Sequence, residues 1–448
     1  MNTLAWRVIK WAFIVVLVGM AIHTPVTVFV ESRWPDYELL AKSWKEIVLG
    51  GVLLLLVWQA WRAGKLSELL RDKFVIVTAL IAALHVVLLL AFDNSYVSEL
   101  AGLLIDLRYY LLFVELYVAA RLMPGLRRPM LMAAAVGCAV VIGFGVLQAT
   151  ILPKDILSPL GYSNETIKPY LTVDLNDHYI RINSTLRGPN PVGAFAVLTL
   201  SLLLAWTAAR RIALRGMWQR IVWAGGALGS VIVLYASQSR SAWLALVAAA
   251  GALLVGILPK RTALYSVAGL AVVGALLVGG LFALRDNPTI SHLFFHSNPA
   301  GGSPEKSDQG HWTSLQHGVE AAANAPAGEG IGSTGSASLL SHSPVIIENQ
   351  YLFMAHESGW LGVVLQLLLF GLVLIGLWCG RRDWLLLGLF AGGVGLALIG
   401  LLLPVWVDDT VSLYWWGLAG LALGSSAMIK PYGQHKKRTR HQKAKRTT

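Results

Sequence analysis

Apolar runs of about 18 to 24 residues recur along the whole chain, and each is long enough to cross a hydrocarbon core of about 30 Å as a helix. Twelve can be read, near residues 7-29, 46-61, 74-92, 98-120, 129-151, 190-209, 220-237, 241-258, 263-284, 359-379, 384-403 and 411-429. Only 13% of the residues are charged, against roughly 25% in soluble domains, so most of the chain belongs in lipid. The expected fold is an all-α polytopic membrane protein with about twelve transmembrane helices. The first run has no small-residue cleavage site behind it and is expected to stay as an anchor.

The connections between runs alternate in charge. Arg62, Lys65, Arg71 and Lys73 lie between the second and third runs, and Arg121, Arg127 and Arg128 between the fourth and fifth. Arg210, Arg211, Arg215 and Arg220 follow the sixth, Lys260 and Arg261 the eighth, and Arg381 and Arg382 the tenth. Basic residues mark the cytoplasmic side, so both termini are expected there. The net charge of +12 is thereby explained without nucleic acid. Residues 430-448, with Lys436, Lys437, Arg438, Arg440, Lys443, Lys445 and Arg446, read as a disordered basic cytoplasmic tail against anionic lipid headgroups. The remaining residues 1-429 form the membrane domain. The two cysteines, Cys138 and Cys379, fall in or at the end of runs, which argues against a structural disulfide or a cysteine metal site.

Two connections on the opposite, extracytoplasmic side are too long to be turns: 152-189 and 285-358. The second opens with a Gly, Pro and Ser-rich piece, Asn298 to Gly310, expected to be mobile. Trp312, Leu315, Val319 and Ala322 then recur at helical spacing, which predicts a short amphipathic helix on the membrane surface. The stretch Gly328-Glu329-Gly330-Ile331-Gly332-Ser333-Thr334-Gly335 follows no strand and precedes no Gly-Lys-Ser/Thr, so it reads as a tight turn rather than a nucleotide loop.

Charged residues stand where charge is expensive. Asp106 and Arg108 lie inside the fourth run, where ionisable groups mark a functional cavity unless they merely pair with each other. Arg187 and Arg240 lie on the extracytoplasmic side in polar, turn-rich contexts, against the positive-inside bias. A guanidinium presents a planar fork of donors suited to phosphate, so converging arginines point to an anion site. Where the second loop re-enters the membrane, Glu348, Asn349, Tyr351, His356 and Glu357 cluster. Helical spacing puts Glu348, Tyr351 and Leu352 on one face, and Asn349 near His356. The histidines His292, His296, His311 and His317 have no spacing that singles out a metal site.

Three stretches occur in order: Arg187-Gly188-Pro189-Asn190-Pro191, then Ser239-Arg240-Ser241-Ala242-Trp243-Leu244, then Asn349-Gln350-Tyr351-Leu352 with Glu357, Gly359 and Gly362. Together, over roughly residues 100 to 400, they resemble the O-antigen polymerase and ligase superfamily of lipid-linked glycan transferases. The resemblance implies a GT-C-like fold in the bacterial inner membrane and an inverting transferase acting at its outer face. It implies an undecaprenyl-pyrophosphate-linked glycan as donor, a glycan or lipid A core as acceptor, no cofactor and no metal, and membrane lipids and a chain-length regulator as partners. Arg187 and Arg240, with Arg108, would hold pyrophosphate, while Asp106, Asn190, Asn349, Tyr351 and Glu357 would bind substrate or support the site. Ligases of the superfamily carry a histidine just before Asn-x-Tyr-Leu, where this chain has Glu348. That departure favours Glu348 as general base and a polymerase that joins repeat units. His342 and His356 are the alternative bases; the alternative functions are a ligase, which could recruit His342, and, from a different class, a flippase or secondary transporter with Asp106 and Arg108 along its pathway.

Overall fold

The computed structural model describes residues 4–167, 170–171, 180–210, 216–284, 287, 304–341 and 344–426. The basic tail, His292, His296 and His342 lie outside them. Among the described residues the secondary structure is helical, without strands. The helices are α1 (Leu4–Gly19), α2 (His23–Arg33), α3 (Glu38–Arg62), α4 (Leu66–Leu70), α5 (Lys73–Ala91), α6 (Tyr96–Leu122), α7 (Arg127–Thr150) and α8 (Pro189–Arg210). After them come α9 (Met217–Ser237), α10 (Arg240–Ile257), α11 (Lys260–Ala283), α12 (Pro304–Asn324), α13 (Gly335–Ser338), α14 (Gln350–Cys379), α15 (Trp384–Gly400) and α16 (Asp409–Ser426). A helix stands at each of the twelve apolar runs. Among the described residues, six helices suffice by length and apolarity alone to cross a membrane, or seven if the bent α1–α2 pair is one crossing.

Two expectations change. The first run breaks between Gly19 and His23 and turns by 76°. Pro25 has no N–H to give and its ring crowds the carbonyl four residues back, which ends the straight path there. The break is held from outside, because Tyr414 donates to the Leu17 carbonyl at 2.7 Å and Thr410 to that of Met20 at 3.1 Å. In the second long loop, α12 begins at Pro304, so residues 304–310, expected to be mobile, are helical. Proline is well placed at a helix start, since its missing N–H would have had no partner there. The buried side of α12 carries Gly318 and Ala322, whereas Val319 is exposed.

The bundle is tightest where α16 meets α6. Glycines make this possible: a Cβ on Gly420 would collide with the Phe113 carbonyl, and one on Gly424 with that of Tyr117. Small residues four apart let two helix backbones touch, which is how membrane helices gain packing without a hydrophobic driving force. At the end of the bundle with the basic turns, acidic caps latch neighbouring helices. Asp72 caps α5 through Phe74 N–H at 3.0 Å and also receives Arg121 at 2.6 Å. Asp383 caps α15 through Leu385 N–H at 2.9 Å and takes both Nη atoms of Arg127 at 2.6 Å. The opposite end carries both long loops, and there the other charges gather.

Candidate active site

The long-loop end holds two groups of cations. In the first, Arg108 of α6 is buried, donates to the Val407 carbonyl at 2.6 Å and pairs with Asp409. Asp409 opens α16 and also receives Lys45 of α3 at 3.1 Å and His23 Nε2 at 2.9 Å. Lys45, only 2% exposed, reaches Glu46 at 3.0 Å and the Lys42 carbonyl at 2.7 Å as well. One carboxylate thus gathers cations from α3 and α6 and an imidazole from α2. The pairing of Asp106 with Arg108 does not form, because residues two apart on a helix point to different faces. Asp106 instead turns to His85 Nε2 at 3.6 Å and to Glu357.

The second group forms where the first long loop meets the α9–α10 turn. Arg181, which the sequence reading passed over, is buried and donates Nε to the Ser237 carbonyl at 2.8 Å and Nη2 to Asn190 Oδ1 at 2.7 Å. Asn190, in the first turn of α8, therefore serves to seat Arg181. Burial first, and then the like charge of Arg240, depress the Arg181 guanidinium to about 10. Arg240 begins α10 and is exposed. The turn before it closes through Gln238 in the left-handed region, φ 49°. It fits against α8 so closely that a Cβ on Gly193 would lie 2.9 Å from the Ser239 Cβ. Arg187 is exposed just before α8, its carbonyl taking the Asn183 amide at 3.2 Å.

Asp408 stands between the two groups. Burial, with the neighbouring Asp409, raises its carboxyl to about 6, while the Val411 N–H, Arg108 and Arg187 pull the other way. Arg187 is therefore close enough to act on a carboxylate that also feels the first group.

The re-entry segment is organised by glycine. Gly328, Gly330, Gly332 and Gly335 all have φ between 67° and 90°, so every turn of this loop uses backbone that side chains rarely adopt. The expected tight turn is there, pressed between α6 and α14. Ser98 Oγ donates to the Gly332 carbonyl at 2.6 Å and Glu357 Oε1 accepts the Gly332 N–H at 3.0 Å. Opposite it α14 kinks at Gly359, φ 63° and ψ −173°, a region open essentially to glycine alone. There Trp360 N–H bonds the Pro326 carbonyl at 3.0 Å, and Glu329 N–H bonds that of His356 at 2.6 Å.

Asn349 is the N-cap of α14, accepting from Tyr351 and Leu352 N–H at 2.9 and 3.0 Å and donating to the Leu401 carbonyl at 2.8 Å. Tyr351 donates to the Ala397 carbonyl at 2.9 Å. Glu348 precedes the cap, so it does not share a helical face with Tyr351. It is half-buried, and its N–H is held by Ser314 Oγ of α12 at 2.9 Å. His356 is buried beneath the glycine loop, and its Nδ1 has no hydrogen-bond partner. The structure thus brings Arg240 to Arg181, sets Arg187 to act on Asp408, commits Arg108 to Asp409, and gives Asp106 to Glu357 while Glu348 is held at α12.

No curated protein matches the sequence. The family model described as O-antigen ligase matches residues 224–367, from α9 through the second long loop to the kinked part of α14. The matched stretch contains Arg240, Glu348, Asn349, Tyr351, His356 and Glu357, while Asp106, Arg108, Arg181 and Arg187 precede it. Through this segment the chain is similar to the O-antigen ligase and polymerase superfamily.

Proposed function

We propose that the chain is an inverting, metal-independent glycosyltransferase of the bacterial inner membrane. In this reading all twelve helices cross in a GT-C-like arrangement, and the long-loop end faces outward. The donor is a glycan linked to undecaprenyl pyrophosphate, and the reaction joins repeat units. The observation that carries the reading is the apposition of Arg181 and Arg240, with Arg187 nearby. Like charges are brought together there, one of them buried and disfavoured for it, and an incoming dianionic phosphate group relieves both terms.

The chemistry needs two things from the protein. The acceptor hydroxyl oxygen bonds to the anomeric carbon as the bond to the pyrophosphate oxygen breaks, so negative charge grows on the leaving group and a proton must be removed. Arg181, Arg187 and Arg240 meet the charge. Glu348, half-buried at the mouth of the re-entry segment, takes the proton. His356 is the weaker candidate, because the glycine loop covers it. Arg108, already bound to Asp409 and Val407, supports the architecture.

The second reading is a ligase that moves finished glycan to lipid A core, favoured by the description of the matching family model. Purified protein with a synthetic lipid-pyrophosphate repeat unit distinguishes them: a ladder of growing chains supports polymerisation, and product only with added core lipid supports ligation. Glu348→Gln is expected to lower turnover by roughly 10²- to 10⁴-fold without weakening donor binding. Lysine at Arg187 or Arg240 should lose nearly as much as alanine, because it keeps charge but not the planar fork. Full turnover in all these variants contradicts the assignment.

A further inference from the structure

Away from the arginines of the long-loop end, α10, α11, α14 and α15 line an open apolar cleft of about 680 Å³ in the half of the bundle nearer the basic turns. Its volume falls within the roughly 300–1,000 Å³ typical of small-molecule sites. The space arises because α10 places small residues here, Ala248, Gly251 and Ala252, opposite Leu270 of α11. Ile375 and Trp378 of α14 and Phe390 of α15 form the far wall. A side chain on Gly251 would have room, its Cβ lying 4.0 Å from Leu270. Ile375 lines the cavity and is nonetheless 59% exposed, so the slot opens sideways toward the lipid.

The turns that join these same helices carry the charge. Lys260 and Arg261 open α11, Arg381 and Arg382 connect α14 to α15, and all four are exposed. Arg381 lies over the ring of Trp378 at 4.4 Å, and Trp378 is itself a wall of the cavity. A guanidinium is therefore fixed at the mouth of an apolar slot. The carboxylate in that turn, Asp383, is bound by Arg127 of α7 through both oxygens. Its charge is answered from another helix and leaves that of Arg381 and Arg382 in excess.

We infer that this is a binding site for one anionic phospholipid of the leaflet at the basic end, its phosphate on Arg381 and Lys260 and an acyl chain in the slot. Basic pockets between membrane helices on that side recognise anionic headgroups, and a chain without charge gains nothing from the four cations. The inference requires that the helices cross a bilayer; it does not depend on the glycan chemistry, since it is read by lipid retention rather than turnover.

Native mass spectrometry of the full-length protein, released from micelles doped with equal phosphatidylglycerol and phosphatidylcholine, tests it. The wild type is expected to retain phosphatidylglycerol preferentially. The preference should fall about fivefold for each cation removed in Lys260→Gln and Arg381→Gln, exposed positions that leave the fold intact. Gly251→Phe, which fills the slot, should lose both lipids, with thermal unfolding checked in parallel. Equal retention of the two lipids by the wild type overturns the inference, as does an unchanged preference in the Lys260→Gln, Arg381→Gln double variant. Selective displacement of phosphatidylglycerol by undecaprenyl phosphate overturns it too, since the occupant would then be the donor's own carrier.

Discussion

Two groups of cations sit at the same end of the bundle and differ in what answers them. Arg108 and Lys45 converge on Asp409, with Glu46 also on Lys45, so their charge is balanced from within, and with the His23 imidazole these contacts tie α2, α3 and α6 to the start of α16. The charge of Arg240 acts on Arg181, and the hydrogen bonds that hold Arg181 come from a carbonyl and an amide, which orient it without neutralising it. A buried cation with an internal carboxylate is architecture. A buried guanidinium with neutral supports, as at Arg181, keeps its charge for the ligand proposed above.

The comparison breaks most visibly if Asp409 is removed. Asp409→Ala leaves Arg108 buried without its counter-ion and Lys45 with Glu46 alone, and a loss of about 3–5 kcal/mol is expected, read as lower folded yield and a lower unfolding midpoint. Arg187→Ala and Arg240→Ala remove exposed side chains and should leave the midpoint near that of the parent. A stable Asp409→Ala protein would show that the first group is not structural.

Next in size is the kink. A Cβ on Gly359 would lie 2.5 Å from the Pro326 carbonyl oxygen, and its backbone conformation is closed to alanine. Gly359→Ala is expected to lose about 1–3 kcal/mol from strain alone and to shift the re-entry segment. An unchanged unfolding midpoint would mean that the loop 325–332 can retreat freely.

These predictions rest on features of unequal legibility. The helices could be read because lipid demands long apolar runs, and the glycine turn because alternating glycines have few other uses. Arg187 and Arg240 stood out as arginines in polar turns on the wrong side for positive charge. Arg181 did not, because its supports, Asn190 and Ser237, are unremarkable neighbours until the loop folds back between α8 and α9. The one local signal was an arginine set between Ile180 and Ile182 in a loop. The Arg108–Asp409 pair was invisible for a simpler reason: its partners are about 300 positions apart. Helical geometry already argued against Asp106 as the partner, since i and i+2 do not face each other. Glu348 was expected on a helix because Asn349 was not recognised as a cap, although Asn is among the strongest cap formers.

A smaller effect sharpens the boundary between the two groups. Asp408 carries a carboxyl raised to about 6 and acts on Arg187. Above that pH it is ionised and offsets Arg187; as the pH falls through about 6 it gains a proton and the positive field grows. The same sign makes ionised Asp408 a burden on the fold, since a raised carboxyl contributes stability at low pH that is lost as pH rises toward 6. Anion binding should therefore tighten a few-fold on acidification from pH 7 to 5.5. Asp408→Asn should be tighter at pH 7 and should lose the part of the pH dependence that pyrophosphate's own titration does not explain. An unaltered pH profile in the variant would separate Asp408 from the arginine group.

The central claim is that Arg181, Arg187 and Arg240 form an anion site while the Asp409 group does not. Calorimetric titration of inorganic pyrophosphate into the full-length protein in micelles measures this directly. Binding is expected in the wild type and in Lys42→Gln, which removes an exposed cation near the Asp409 group. It is expected to weaken by about tenfold or more for each of Arg187→Gln and Arg240→Gln, as charge-assisted hydrogen bonds are lost. Equal affinity in the wild type and the Arg187→Gln, Arg240→Gln double variant would contradict the account.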